Sequence, residues 1–270
     1  MAAKVIAVAV LAASTLTATA RVADGQPPPP SEGGHTEIVL SRGALLSLGE
    51  HVDPSDSLTV EIVEEVRRVV RRVQELVPVD TVLISMDISP DVLPFLGVAG
   101  RTDRDGSRPV IFFNYDPQNP NFELRHVAEG MAHELHHASR IGMEDWSLSL
   151  LELMVMEGLA DHFTGEVFGT EPPPWSSALS DEQLSHYMSL ARDSSYEVHD
   201  AWSEEFNREV YVPWFFGRSE DGTPPWVGYS VGWRIVSDYL SAHRGARASA
   251  LVHVPSVELV HSTPEMIPSE

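Results

Sequence analysis

The chain has 270 residues, of which 43% are hydrophobic, so it can bury a sizeable core. Its 40 acidic and 18 basic residues give a formal net charge of −22, which argues against nucleic acid and anionic membranes as partners. It contains no cysteine, which excludes disulfides, cysteine-ligated zinc and a thiol nucleophile.

The first 35 residues predict an export signal followed by a linker. Residues 1–20 combine a positive start at Lys4, an apolar run over 5–18 and a small-x-small pattern at the end, as in a secretory signal peptide. An uncleaved membrane anchor is the alternative. Residues 21–35 hold four consecutive prolines and three glycines, which indicate an extended linker. We therefore expect an exported protein, secreted or periplasmic, with no stable membrane insertion and one folded domain over 36–270.

In the rest of the chain, the predicted strands come first and most of the helices later. This order favours an α+β fold in which a small sheet packs on a mainly helical body. Asn121 is expected to cap the second helix. The predicted elements are a helix over 57–77, strands over 81–88 and 109–115, helices over 121–141, 147–168 and 180–194, loops over 200–225, and a helix over 229–243.

The strongest chemical signal is an H-E-x-x-H motif inside the second predicted helix. His133 and His137 are four residues apart, so both rings project from one helix face and can bind one ion. Glu134 lies beside the first histidine, where its carboxylate can reach a water on the metal without being a ligand. The motif predicts Zn²⁺ bound by both histidines, with Glu134 as the base that activates water for attack on a carbonyl.

A second signal lies in the next predicted helix, twenty residues after His137. Glu157 stands there among apolar residues, where a carboxylate is costly unless it is paired or binds a metal. We therefore predict Glu157 as the third zinc ligand. Asp161, one turn later, is placed to accept a hydrogen bond from the non-ligating nitrogen of a histidine. The alternative is that both carboxylates pair with Arg140 or Arg125 in ordinary buried salt bridges.

Together, the segments His133–Arg140 and Glu157–Phe163 resemble the gluzincin metallopeptidases. In detail they are similar to a bacterial family of predicted Zn-dependent proteases that includes YjaZ-like proteins, and the resemblance covers residues 122–168. It implies a zincin-like fold: an active-site helix beneath a small sheet, whose edge strand pairs with an extended peptide. By position, Val110–Tyr115 is expected to be that edge strand.

Four residues near the motifs have two possible roles each. Tyr229 lies in a Gly-Tyr-x-x-Gly element that resembles one in such families and is predicted to stabilise the oxyanion, unless it only packs at a helix start. Arg140 either pairs with a carboxylate near the site or is a solvated cation at a helix end. His136 and His162 adjoin predicted ligands in sequence but point elsewhere on their helices, so we expect them to pack or to support a ligand rather than to bind the metal themselves.

The sequence thus predicts an exported, single-domain zinc metallopeptidase whose substrate is a peptide or a protein. Two other functions stay open: a zinc-binding chaperone-like or inhibitory module without turnover, and a metallohydrolase that acts on another amide or ester. The native metal, the choice between endopeptidase and aminopeptidase, the preferred side chain and the oligomeric state also stay open.

Overall fold

The computed structural model describes residues 36–41, 43–79, 81–105, 108–141, 148–199 and 204–268. These residues form two compact units. The first takes the described residues up to Glu75 together with Val79–Ala138, and the second takes Leu76–Pro78 and the described residues from Ser139 onward. The expected signal peptide and linker lie outside the described residues, and the single domain over 36–270 stays a prediction.

The first unit is built around a mixed five-stranded sheet with the strand order β1-β2-β3-β5-β4. The pairs β1/β2 and β4/β5 are antiparallel, whereas β2/β3 and β3/β5 are parallel. The strands are β1 Thr36–Ser41, β2 Ala44–Leu48, β3 Val82–Ile88, β4 Val98–Asp105 and β5 Arg108–Tyr115.

The first unit contains helix α1, Ser57–Gln74, and most of helix α2, Leu124–Ile141. The last residues of α2, from Ser139, belong to the second unit. Helix α1 begins where the Asp56 side chain accepts from the Thr59 amide. The predicted cap of α2 was wrong. Asn121 instead donates to the Pro94 carbonyl, 2.9 Å away, so this side chain ties two loops together and the helix begins three residues later.

One face of the sheet is buried and carries α2. Ile111 and Phe113 of β5 are fully buried on this face, and an added Cβ at Gly130 of α2 would lie 3.1 Å from the Phe113 ring. Thr102 and Gly100 of β4 pair with Ile111 and Phe113 respectively. Because paired residues point to the same side of a sheet, both β4 residues face the helix that carries the H-E-x-x-H motif.

The prediction that Val110–Tyr115 is the edge strand was wrong. This segment belongs to β5, which lies between β3 and β4, and the edge beside it is β4. The sequence of β4, with two arginines and two aspartates, lacks the apolar alternation that identifies a strand. Its place at the edge explains how a strand of this composition is tolerated, because charged residues are common there.

The second unit is mainly helical. A two-stranded sheet pairs β6 with β7, and short 3₁₀ turns lie at 174–177, 248–251, 260–262 and 264–266. Its elements are β6 Leu148–Ser149, α3 Leu150–Phe168, α4 Asp181–Ser194, β7 Val198–His199, α5 Glu204–Phe206, a π-helical turn Asn207–Tyr211, α6 Val212–Phe216, α7 Val227–Ala242 and α8 Ser256–Leu259.

The helix boundaries in this unit follow local capping chemistry. Ser149 caps α3 at its start and Gly169, in the left-handed conformation with φ 69°, ends it. Ser180 and Gln183 form a capping box at the start of α4. The predicted loops over 200–225 were wrong for Glu204–Phe216, which is helical: buried Phe206 and Phe215 anchor it to the core despite its poor helix formers.

Helices α3 and α7 meet through two glycines. A Cβ added to Gly232 of α7 would lie 1.8 Å from the Met154 carbonyl oxygen, and one added to Gly158 would lie 2.3 Å from the Gly232 backbone. Contact this close lets α3 be buried on nearly all sides, as its apolar sequence predicted. Among the described residues, no helix is both long and apolar enough to cross a membrane. The predicted α+β class is confirmed, and the architecture is consistent with a zincin-like fold.

Candidate metal centre

Helix α2 brings the two motif histidines together. Their Nε2 atoms lie 2.9 Å apart and their rings meet edge to face, with centroids separated by 4.5 Å. Histidines four residues apart on one helix face are expected to converge in this way. His137 is buried and His133 is half-buried.

Glu134 is held by the edge strand β4. Its Oε2 atom lies 2.6 Å from the Thr102 hydroxyl, which also lies 3.0 Å from the Glu134 carbonyl oxygen. Gly100 leaves room for the carboxylate: a Cβ at this position would lie 2.6 Å from both Cγ and Oε1 of Glu134. The side chain is only 7% exposed, so strand β4 rather than solvent surrounds the carboxylate.

Glu157 completes a group that can hold a metal ion. One ligand atom from each of His133, His137 and Glu157 lies within 4.8 Å of the other two. Among the described residues, this is the only group of three such side chains that could hold a metal ion. Two imidazole nitrogens and one carboxylate oxygen are the donor set of many catalytic zinc sites, which leave a fourth position for water or substrate. The three predicted ligands therefore fit a zinc ion.

Asp161 is buried and fixed by two neutral donors. Its Oδ2 atom accepts from the Trp175 indole nitrogen at 2.9 Å and from the Ser176 hydroxyl. Both donors lie on the 3₁₀ turn that follows α3. These bonds stabilise a carboxylate one turn after Glu157, and its proposed action on a histidine ligand stays a prediction.

Arg140 is not a solvated helix-end cation, which excludes one of its two predicted roles. It is 1% exposed, and its Nε donates to Glu152 at 2.7 Å. Its Nη1 donates to the carbonyl oxygens of Val252 and Val254 at 3.0 and 2.9 Å. The arginine is therefore the partner of Glu152 and joins the last turn of α2 to the C-terminal part of the second unit.

Tyr229 lies in the first turn of α7 within an aromatic cluster. Its ring packs against Phe215, Trp226 and Trp175, with centroid separations of 5.3, 5.7 and 6.5 Å. These contacts agree with a packing role, and its action on an oxyanion stays a prediction. Trp226 has a φ of 72°, a left-handed conformation rare outside glycine, and directly precedes this helix.

The other two histidines are placed as packing residues. His136 is fully buried. His162 stacks on Trp233, with ring centroids 3.6 Å apart, and its Nε2 lies 2.9 Å from the Ser237 hydroxyl. Burial lowers the pKa of His162 from its ordinary value of 6.5, which favours the neutral ring.

Comparison with known proteins assigns the chain to a family. The family model described as "Predicted Zn-dependent protease (DUF2268)" matches residues 74–261, well over half of the chain. The chain belongs to this family. The match includes the H-E-x-x-H motif, Glu157 and the Tyr229 element, which confirms the predicted resemblance to YjaZ-like proteins.

Two relatives from Bacillus subtilis (strain 168) align with this member of the family. The uncharacterized protein YjaZ is 32% identical over 131 residues, which is 46% of each chain. The uncharacterized protein YjfC is 31% identical over 134 residues, which is 46% of this chain and 44% of that protein. The alignments thus span about half the length of these relatives.

Among solved structures, an aminopeptidase N family protein from Idiomarina loihiensis aligns with 84% of this chain and 40% of its own. The TM-score is 0.42 and the identity 13%.

Several residues at the centre were not found from the sequence. Thr102 and Gly100 precede Glu134 by more than thirty residues, and a lone threonine or glycine carries no spacing signal. Trp175 and Ser176 follow three prolines in a stretch without helical or strand periodicity. Only folding brings these residues into contact with Glu134 and Asp161.

Proposed function

We propose that this chain is a zinc-dependent peptidase in which His133, His137 and Glu157 hold the zinc ion. The observation that carries the proposal is the convergence of these three side chains beside Glu134, a buried carboxylate oriented by β4. A site that only binds zinc has no need for such a base. Membership of the family of predicted Zn-dependent proteases supports the same function.

In the proposed reaction, the chain supplies the base and the positions of the reacting groups. A zinc ion held by His133, His137 and Glu157 would lower the pKa of a bound water towards about 7 and would polarise the substrate carbonyl. Glu134 accepts a proton from the attacking water and then gives it to the leaving amine, so it is unchanged after one turnover. Asp161 is proposed to orient a histidine ligand, and Tyr229 to donate to the oxyanion.

The proposed substrate is a peptide that adds to the edge of β4. Within the described part of the chain, this strand has a neighbour on one side only, and it carries the residues that contact Glu134. A peptide bound along a strand edge is recognised through its main chain, so the sequence requirement is loose. We expect a library of mixed sequences to contain substrates.

The test is zinc content by mass spectrometry, together with cleavage of a quenched random-peptide library, for wild type, Glu134→Gln and Glu61→Gln. Glu61 is an exposed glutamate on helix α1 and serves as the control for the same chemical change outside the helix that carries the motif. We expect about one zinc per chain in all three, with cleavage reduced about 10²–10⁴-fold in Glu134→Gln alone.

Each other result selects a different function. Zinc without peptide cleavage, but with hydrolysis of simple amides or esters, would favour a metallohydrolase of non-peptide substrates. Zinc without any hydrolysis would favour the chaperone-like or inhibitory module. Absence of stoichiometric metal in wild type would refute the proposal.

Export belongs to the same proposal and rests on the pattern of residues 1–20. Cleavage after Ala20 would release a chain that begins at Arg21. N-terminal sequencing of the protein recovered outside the cytoplasm tests this, because an intact N-terminus on a membrane-bound chain would indicate the anchor instead.

A further inference from the structure

The geometry points to Thr102 as a positioning residue that holds the catalytic base in its working orientation, an assignment that rests on the proposed peptidase function. Its hydroxyl lies 2.6 Å from Oε2 of Glu134, a separation typical of a hydrogen bond to a charged oxygen. The strand that is proposed to bind the substrate thus also sets the direction of the base.

The hydroxyl has one proton and two acceptors within reach. The carboxylate oxygen is closer than the Glu134 carbonyl oxygen, at 2.6 against 3.0 Å, and it carries charge, so it takes the proton while Glu134 is ionised. When Glu134 has accepted a proton from water, the Thr102 hydroxyl can turn its own proton to the helix carbonyl. The threonine therefore remains hydrogen-bonded in both protonation states of the base.

Gly100 supplies the space that makes this contact possible. Gly100 and Thr102 are two residues apart on one strand and face the same side, so together they form a cradle for the Glu134 side chain. Any Cβ at position 100 would overlap Cγ and Oε1 of Glu134, each 2.6 Å away. Glycine is required here for room rather than for an unusual backbone, since its φ is not positive.

Because Glu134 is buried, its orientation depends strongly on the hydrogen bond with Thr102. Glu134 is 7% exposed, so few water molecules can replace a lost hydroxyl. Without the Thr102 hydroxyl, the carboxylate loses the hydrogen bond that fixes its direction. The loss should slow the proton transfer, and it should leave zinc binding and substrate binding close to those of wild type.

The experiment compares zinc-loaded wild type, Thr102→Val, Thr102→Ser and Thr164→Val on one peptide substrate from the library. Thr164, whose hydroxyl lies 2.9 Å from the Ala160 carbonyl, is the control for the same chemical change away from Glu134. We expect Thr102→Val to lower kcat about 10–100-fold, the usual range for a residue that orients an active group, with KM and zinc content little changed. Thr102→Ser, which keeps the hydroxyl, and Thr164→Val should retain kcat within about 3-fold.

Crystal structures of the same zinc-loaded proteins give a readout that does not depend on activity. We expect the Glu134 carboxylate to leave its wild-type position in Thr102→Val and to keep it in Thr102→Ser. If Thr102→Val fails to fold, Thr102→Ala replaces it, since it also removes the hydroxyl, and the same loss of kcat and of the carboxylate position is expected.

The assignment is overturned if Thr102→Val keeps both the wild-type kcat and the wild-type carboxylate position. It is also overturned if Thr102→Ser loses as much activity as Thr102→Val, because the hydroxyl would then be irrelevant. If wild type cleaves no peptide, the proposed function fails, while the carboxylate position in the variants still decides the role of Thr102.

Discussion

Helix α3 carries two buried glutamates, Glu152 and Glu157, that are each 7% exposed but have different surroundings. Glu152 forms an ion pair with Arg140 at 2.7 Å. Glu157 belongs to a group with two histidines that can hold a metal ion. A buried carboxylate is costly unless a nearby charge or hydrogen bonds compensate for its lost hydration. These two positions show two sources of charge: an arginine for one and, in the proposed function, a metal ion for the other.

The two glutamates also differ in role: Glu152 belongs to a structural ion pair, whereas Glu157 is a candidate metal ligand. The guanidinium of Arg140 donates to Glu152 and to two carbonyl oxygens, and such a buried network rigidifies a core without offering a site for a ligand. The group around Glu157 instead converges on a point that a further atom can occupy. Burial alone would have assigned both glutamates the same role.

The largest expected effect comes from breaking the ion pair. Arg140→Met leaves Glu152 buried without its cation, so we expect the free energy of unfolding to fall by about 3–5 kcal/mol. Zinc bound per folded chain should stay at the wild-type level. Urea unfolding followed by circular dichroism measures the first quantity and mass spectrometry the second. A variant of unchanged stability would contradict the role given to this pair.

A second effect concerns the contact that seats α3. Gly232→Ala places a Cβ 1.8 Å from the Met154 carbonyl oxygen, so helices α3 and α7 must move apart, at a cost of about 3 kcal/mol. Gly165→Ala, at a half-buried position of α3, meets the Thr170 carbonyl at 3.3 Å and should change stability by less than about 1 kcal/mol. Equal destabilisation of the two variants in urea unfolding would refute the close helix contact.

A third carboxylate on α3 sharpens the comparison. Asp161 is 2% exposed and accepts from Trp175 and Ser176, neither of which is charged. If it also orients a histidine ligand, Asp161→Asn should weaken zinc binding about 10–100-fold. Competition with a chelator measures this, and Ser176→Ala serves as the control for a lost hydrogen bond to Asp161. Wild-type zinc affinity in Asp161→Asn would leave Asp161 a purely structural residue.

The smallest effect is a pH dependence. Burial lowers the pKa of His162 below 6.5, so below that pH the unfolded chain binds a proton that the folded chain resists. Stability from this group is therefore full above about pH 7 and falls as the pH drops through 6.5. His162→Gln should flatten the stability profile between about pH 5 and 7 relative to wild type in urea unfolding. Parallel profiles would contradict the lowered pKa.

Features determined by neighbours in sequence were predictable. The i, i+4 spacing of His133 and His137 predicted that they converge, and the all-apolar setting of Glu157 predicted its burial. The end of α3 at Phe168 and the start of α4 at Asp181 agree with the predicted bounds to within one residue, and Gly169 and the Ser180 capping box account for them. These signals act within one or two turns of a helix, so a single sequence displays them.

Features determined by distant contacts were not predictable. The edge position of β4 follows from its pairing with β5 and from the burial of β5 between two neighbours, neither of which the charged β4 sequence reveals. Arg140 meets Val252 and Val254 more than one hundred residues later in the chain. The contact between Thr102 and Glu134 forms only in the folded chain, because it requires α2 to pack on the sheet face to which Thr102 of β4 points.

The zinc affinity of Glu157→Gln and Glu152→Gln, measured by competition with a chelator, tests the central claim most directly. Both variants replace a buried α3 carboxylate by the same neutral amide. We predict that Glu157→Gln weakens zinc binding more than about 100-fold, beyond the loss typical of residues around a ligand, while Glu152→Gln binds zinc like wild type. Wild-type affinity in Glu157→Gln, or an equal loss in both variants, would contradict the assignment of Glu157 as a ligand.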